Sequence, residues 1–335
     1  MGQDARSISR ITGIPAGCVL SLAFLLGVAS AQPASQAAAP PVESVTVTGA
    51  TSKAVNNFVQ SVSTPTHIIG KVARWETPIC PVAVGVPDDV IAQVVKRVKD
   101  VAVQAGVRVS SNPVCKPNIV IAFTSTPQPL LDSIRKDHAD WLGYHVTPQD
   151  LDRLGTISRP IQAWYSTATE DLNGRRQIDA SQSDGNDRGV LVSGPCYLIG
   201  NVRLRPGAGE AICTSWYPNA IAATVAGSRV ADGLRATFDH VTIIANPLAV
   251  HASMAAIEDY IAVLALAQIN SLDTCQALPS ITSLLASGCA QAGTAITAND
   301  LGYLKGVYAA NPEKVPGLQK NEIAYRMEQG IAGRQ

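Results

Sequence analysis

Residues 79–123 constrain the fold of this chain more than any other stretch. Residues 79–84 read as a strand, with Pro78 and Pro81 restricting it to an edge or an irregular start. Pro87-Asp88-Asp89 then opens a helix, because proline suits the first turn and acids suit the positive end of the helix dipole. Val90, Ile91, Val94, Val95, Val98, Val101, Ala102 and Ala105 recur at helical spacing, while Lys96, Arg97, Lys99 and Asp100 are set toward water. Gly106 is the expected stop. Ile119-Val120-Ile121-Ala122-Phe123 is continuously apolar, as in a strand buried on both faces. Two strands joined by a crossover helix pair in parallel. The expected fold class is α/β (α+β), a mixed sheet with packed helices.

The first 31 residues read as an address. Arg6 and Arg10 precede an apolar run from Val19 to Val28, and Ala29-Ser30-Ala31 supplies small residues before a cleavage point. That order is a secretory signal peptide, with an apolar run too short to span a bilayer. Cleavage leaves 24 basic and 25 acidic residues. A near-neutral chain with no basic run argues against a nucleic-acid partner. No later apolar stretch reaches membrane-spanning length; the longest, 261–267, is read as part of an amphipathic helix. The expected location is periplasmic or secreted.

Cys18 lies within the signal peptide, which leaves Cys80, Cys115, Cys196, Cys213, Cys275 and Cys289. An even count in an exported chain reads as disulfides. Six cysteines allow about 15 pairings. The expectation is sequential: Cys80 with Cys115, Cys196 with Cys213, Cys275 with Cys289. No CxxC or similarly short Cys/His spacing supports metal ligation instead.

The rest divides into a tether at 32–66 and a single domain at 67–335. The tether is a Pro/Ala-rich stretch, a short strand at 42–48 and a helix at 53–62 stopped by Pro65. Within the domain, helices are expected at 128–138, from Thr147, at 253–270, 279–286, 297–310 and 321–329. Strands are expected at 161–169 and 240–245, with Asn173-Gly174 turning a hairpin whose return is 175–179. Residues 181–189 read as a loop and 193–219 as an irregular segment stapled by cysteines.

Few residues announce chemistry. His67, His138, His145, His240 and His251 show no HxH or HxxxH spacing. His138 and His145 with Asp137 or Asp140 do not make a convincing metal set. There is no GxSxG elbow, and Ser193 or Ser228 would meet Asp239 and His240 only by tertiary accident. The acid pairs Asp88-Asp89, Glu170-Asp171 and Glu258-Asp259 read as solvated helix starts, turns or faces. A glycosidase pair distant in sequence stays open. No phosphate-binding glycine loop is present, and no cofactor is expected. Trp164 and Tyr165, adjacent on one strand, point to opposite faces.

Arg74-Trp75-Glu76 through Phe123, with Thr297 through Tyr308, resembles the layout of zincin-type metallopeptidases of the metzincin kind. That resemblance implies a zincin-like scaffold over about 70–310, with HExxH on the intervening helix, where residues four apart share one face. Here the matching stretch is Ile257-Glu258-Asp259-Tyr260-Ile261. Both ligand positions are isoleucine, and six residues on stands Ala267. The resemblance therefore implies a scaffold without metal, with Glu258 the one catalytic candidate left. Residues 71–76, 142–145 and 160–165 are also similar to an uncharacterised family of exported proteobacterial proteins, which brings no activity. Separately, residues 43–49 are similar to the TonB box of outer-membrane receptors, which acts by strand addition.

The reading favoured by these residues is an exported, non-catalytic protein that binds an unknown ligand or envelope protein. The alternatives are a hydrolase whose acids the sequence does not pair, and a partner-binding protein using strand 45–48.

Overall fold

Gly106 stops its helix as the sequence requires: at φ 87° its N–H reaches the carbonyls of Ala102 and Val103. The computed structural model describes residues 52–145, 147–179, 189–195, 212–218, 230–270, 272–289 and 293–332. The chain divides into two units, residues 1–47 and 48–335, and all described residues belong to the second. The residues read as a signal peptide, and those expected to form a strand at 42–48, lie outside them.

The elements run α1 (Ser52–Val62), β1 (Pro81–Val84), α2 (Asp88–Ala105), β2 (Ile119–Phe123), α3 (Pro127–Asp137), α4 (Pro148–Leu154) and β3 (Ile161–Glu170). They continue β4 (Arg176–Ile178), β5 (Gly189–Pro195), β6 (Ile212–Pro218), β7 (Arg235–Ala245), α5 (Met254–Leu266), α6 (Ala298–Ala309) and α7 (Pro316–Ala332). The main sheet has the order β1-β2-β7-β3-β4. β1 and β2 are parallel, as a crossover through α2 dictates; β7 also runs parallel to β2, while β3 runs antiparallel to both β7 and β4. The fold is a mixed α/β sheet with packed helices.

The helices load the two faces unequally. On one face, α5 packs on β7, β3, α2 and α6, and the outer helices α7 and α1 extend that core. On the other, Leu131 of α3, Leu142, Trp164 of β3 and Ile244 of β7 form a smaller cluster capped by Leu151 and Leu154 of α4.

Several expectations change. α1 is not part of a tether: Val55, Phe58, Val59 and Val62 are buried in the main core, which places residues 52–66 with the domain. α5 is not amphipathic. Ala256, Ile257 and every residue from Asp259 to Leu266 are buried, because the helix lies between the sheet and α2. It also ends earlier than expected, and its last carbonyls accept from aromatic side chains of other elements. The Trp75 indole donates to Ala265 (2.9 Å), the Tyr165 phenol to Leu264 (2.9 Å) and the Tyr308 phenol to Leu266 (2.7 Å). Arg97 does not simply face water; it pairs with the buried Asp259, whose other oxygen accepts from the Ile296 N–H (2.7 Å). An antiparallel ladder, Gly189–Pro195 against Ile212–Pro218, runs from the end of the expected loop into the segment read as irregular.

Cys80–Cys115 and Cys275–Cys289 are disulfides, as the sequential pairing requires. The side chains of Cys196 and Cys213 lie outside the described residues. Among the described residues no helix is long and apolar enough to cross a membrane.

Candidate functional site

β3 is longer than its hairpin partner. It pairs with β7 along its whole length but with β4 only at Ala168, Thr169 and Glu170. On the side away from β7, residues 161–166 therefore have no strand partner among the described residues. The direction of the backbone groups follows from the flanking bonds. Pro160 C=O accepts from Asn246 beyond β7, and Thr167 C=O accepts from Asp179 beyond β4. Main-chain groups alternate along a strand, so those of Ile161, Ala163 and Tyr165 point to the open edge.

That edge forms one wall of a cavity of about 370 Å³, within the usual size range for ligand pockets. Thr64, Thr66 and His67 line it from the α1–β1 connection, Leu142, Gly143 and Tyr144 from the segment after α3, and Gln268, Ile269 and Asn270 from the chain after α5. Gly143 is required where it stands. Its φ is 93°, and a Cβ would lie 2.5 Å from the Tyr165 carbonyl oxygen. A smaller cavity of about 250 Å³ shares His67, Tyr144, Arg153 and Leu154 with the first and adds His145 and Asp150.

The larger cavity holds no carboxylate among its described lining residues, and its two arginines are occupied. Arg159 forks onto Asp273, a bond that holds that carboxyl below the usual range. Arg153 reaches Asp150 (2.5 Å), which also completes the capping box of α4 with Thr147. In the smaller cavity, His145 Nδ1 lies 3.1 Å from the Gly143 carbonyl. A carbonyl only accepts, so Nδ1 is the donor in this contact. The Tyr144 ring stacks on His67, with centroids 5.6 Å apart. Burial, then the Asp179 charge, pushes the Tyr144 phenol up. Asp179 is itself buried, accepts from Thr167 (2.6 Å) and Thr169 (2.9 Å), and is raised by burial.

Glu258 is not at this site. It is half-buried on α5, its carboxyl raised by burial and by Asp259, and it lines neither cavity. Ile257 and Ile261 are core residues. His138 and His145 do not form a pair: His138 stacks on Trp141 (4.2 Å), whose other neighbour is His240 (4.3 Å). Asp239, imagined beside a serine, is bonded to Arg176 (2.6 Å), and Ser228 lies outside the described residues. Among the described residues no three His, Cys, Asp or Glu form a group able to hold a metal ion.

Trp164 and Tyr165 do point to opposite faces. Trp164 is buried in the smaller cluster and donates to Leu154 C=O (2.7 Å), while Tyr165 packs toward α5. Thr64, Thr66, Gln268 and the open edge escaped the sequence reading. One signal was present: a strand of about ten residues with a return of only three to five leaves half its length uncovered.

Compared with protein-family models, curated proteins and solved structures, this chain matches none.

Proposed function

We propose that this chain is an exported, non-catalytic peptide-binding protein in which an extended peptide adds as a strand to the open edge of β3. The observation that carries the reading is that edge itself. Ala163 stands at its centre: it lines the cavity and its main-chain groups point away from β7, while beside it Gly143 packs against the Tyr165 carbonyl. Strand addition draws affinity from such groups and specificity from pockets for alternate side chains. Among the described lining residues of the larger cavity there is no carboxylate to serve as half of a hydrolase's usual acid–base pair, and the Asp150 of the smaller cavity is bonded to Arg153, which favours binding over turnover. Isoleucines in the core at 257 and 261 fit a peptidase-like scaffold that holds a peptide without a metal. The two disulfides fit an oxidising compartment, which supports export.

The test is selection from a randomised, end-blocked heptapeptide library on immobilised protein, repeated with Ala163→Pro. Proline at this position deletes an N–H that points away from β7, so the ladder is kept and only the edge is blocked. Enrichment by the native protein and its loss in the variant, at nearly unchanged melting temperature, is the expected result. Failure of any peptide to enrich would sink the reading.

A further inference from the structure

The chain after α5 pairs with the chain after α1. Ser63 bridges Ile269 in antiparallel register, Thr64 N–H donates to Gln268 C=O (3.3 Å), and Asn270 N–H donates to Val62 C=O (2.8 Å). Thr64 therefore stands opposite Gln268, and directly opposed side chains share a face. Thr66, two residues on, lines the same cavity and is only 4% exposed. The hydroxyl oxygens of Thr64 and Thr66 are buried and have no hydrogen-bond partner. Buried hydroxyls are almost always paired, and one left unpaired calls for an explanation.

The site reading supplies one. Side chains of a strand added to β3 alternate between the two faces of the sheet. Gln268 follows α5, so the group formed by Thr64, Thr66 and Gln268 lies on the α5 side, where Tyr165 also points. We propose that Thr64, Thr66 and Gln268 form a side-chain subsite that selects an uncharged hydrogen-bonding residue of the bound peptide: asparagine, glutamine, serine or threonine. The inference rests on strand addition at β3 and names what that strand must carry.

Physical chemistry excludes the other residue classes. An apolar side chain would leave both buried hydroxyls without a partner. A site built to hydrogen-bond its ligand rejects analogues that lack the group. A charged side chain would lose its water, and both arginines of the cavity are already engaged, Arg159 forked onto Asp273 and Arg153 bonded to Asp150. A neutral amide or hydroxyl both donates and accepts, as two hydroxyls and a carboxamide require.

The experiment is the same heptapeptide selection, read position by position and followed by titration of single peptides. We expect one position enriched in Asn, Gln, Ser and Thr, with replacement of that residue by leucine or aspartate weakening binding about tenfold. Thr66→Val, a near-isosteric change, should move the enrichment at that position to valine and leucine while binding by Ala163 is retained. Thr64→Val serves as the companion should Thr66→Val lower the melting temperature. Enriched peptides with no preference at any position, or a preference unchanged in both variants, would overturn the subsite and leave strand addition standing. No enrichment at all would overturn both.

Discussion

The Tyr165 hydroxyl donates to the Leu264 carbonyl at 2.9 Å and approaches the Ala267 carbonyl at 3.2 Å. One side chain of the edge strand thus ends the central helix. A helix leaves its last carbonyls unpaired, and α5 ends deep in the core where water does not reach. Tyr165, Trp75 and Tyr308 supply the missing donors from three elements. The site wall and the core are therefore one structure: Tyr165, whose carbonyl packs against Gly143 beside the open edge, is held by the helix behind it.

Tyr165→Phe keeps the ring and removes the donor. Leaving a buried carbonyl unpaired costs about 1–3 kcal/mol. Urea unfolding should show that loss with an unchanged m-value, and peptide affinity should fall because the edge is no longer anchored.

Gly143→Ala places a methyl group where the Tyr165 carbonyl oxygen already lies, at a φ that alanine rarely adopts. The strain is about 1–3 kcal/mol before the clash is relieved. Relief means moving the 142–144 wall off β3, so the variant should lose stability in urea and peptide binding together.

His240 is buried, its Nε2 has no partner, and burial pulls its pKa below the ordinary 6.5. In the unfolded chain the imidazole takes up a proton as pH falls through about 6.5; in the folded chain it resists. The unfolded state then binds more protons, so stability falls as pH drops below that value and is regained above it. Asp239 and Asp140 oppose this effect, whereas His138 and Lys116 add to it. Thermal melts of His240→Gln between pH 5 and pH 7 should show a shallower acid slope than the native protein.

Reducing Cys275–Cys289, a link across 14 positions, should lower stability by about 3 kcal/mol in the chain-entropy account. The Cys275→Ser, Cys289→Ser double variant should match the reduced protein in urea. If the protein is exported, alkylation of native-host material should find no free thiol at either position.

Purified, tag-free protein should contain no stoichiometric zinc by elemental analysis. Ile257 and Ile261 offer no ligand atom, and their burial leaves no room for one. A bound zinc would point to a centre formed elsewhere and would favour the hydrolase alternative.

Local patterns carried the reading where chemistry is local. Proline and acids at 87–89, apolar residues at helical spacing and Gly106 specified α2 within a few residues, and the helices expected from Thr147 and Thr297 begin there, each on a capping box. Periodicity is a property of a single segment, and caps are satisfied within one turn, so no distant partner is needed to read either. The same holds for the parallel pairing of β1 and β2, which a crossover helix imposes, and for two cysteine links that close short loops.

Only tertiary structure decided the rest. Whether α1 belongs to the core, whether Arg97 meets water or Asp259, and which edge of β3 stays open all depend on which surfaces meet across hundreds of residues. A buried helix and an amphipathic one differ in what surrounds them, and α5 shows how alanine-rich sequence conceals that difference. The site draws Thr64, Tyr144, Ala163 and Gln268 from four separate segments. Each is an unremarkable residue in its own stretch, and packing alone brings them to one cavity.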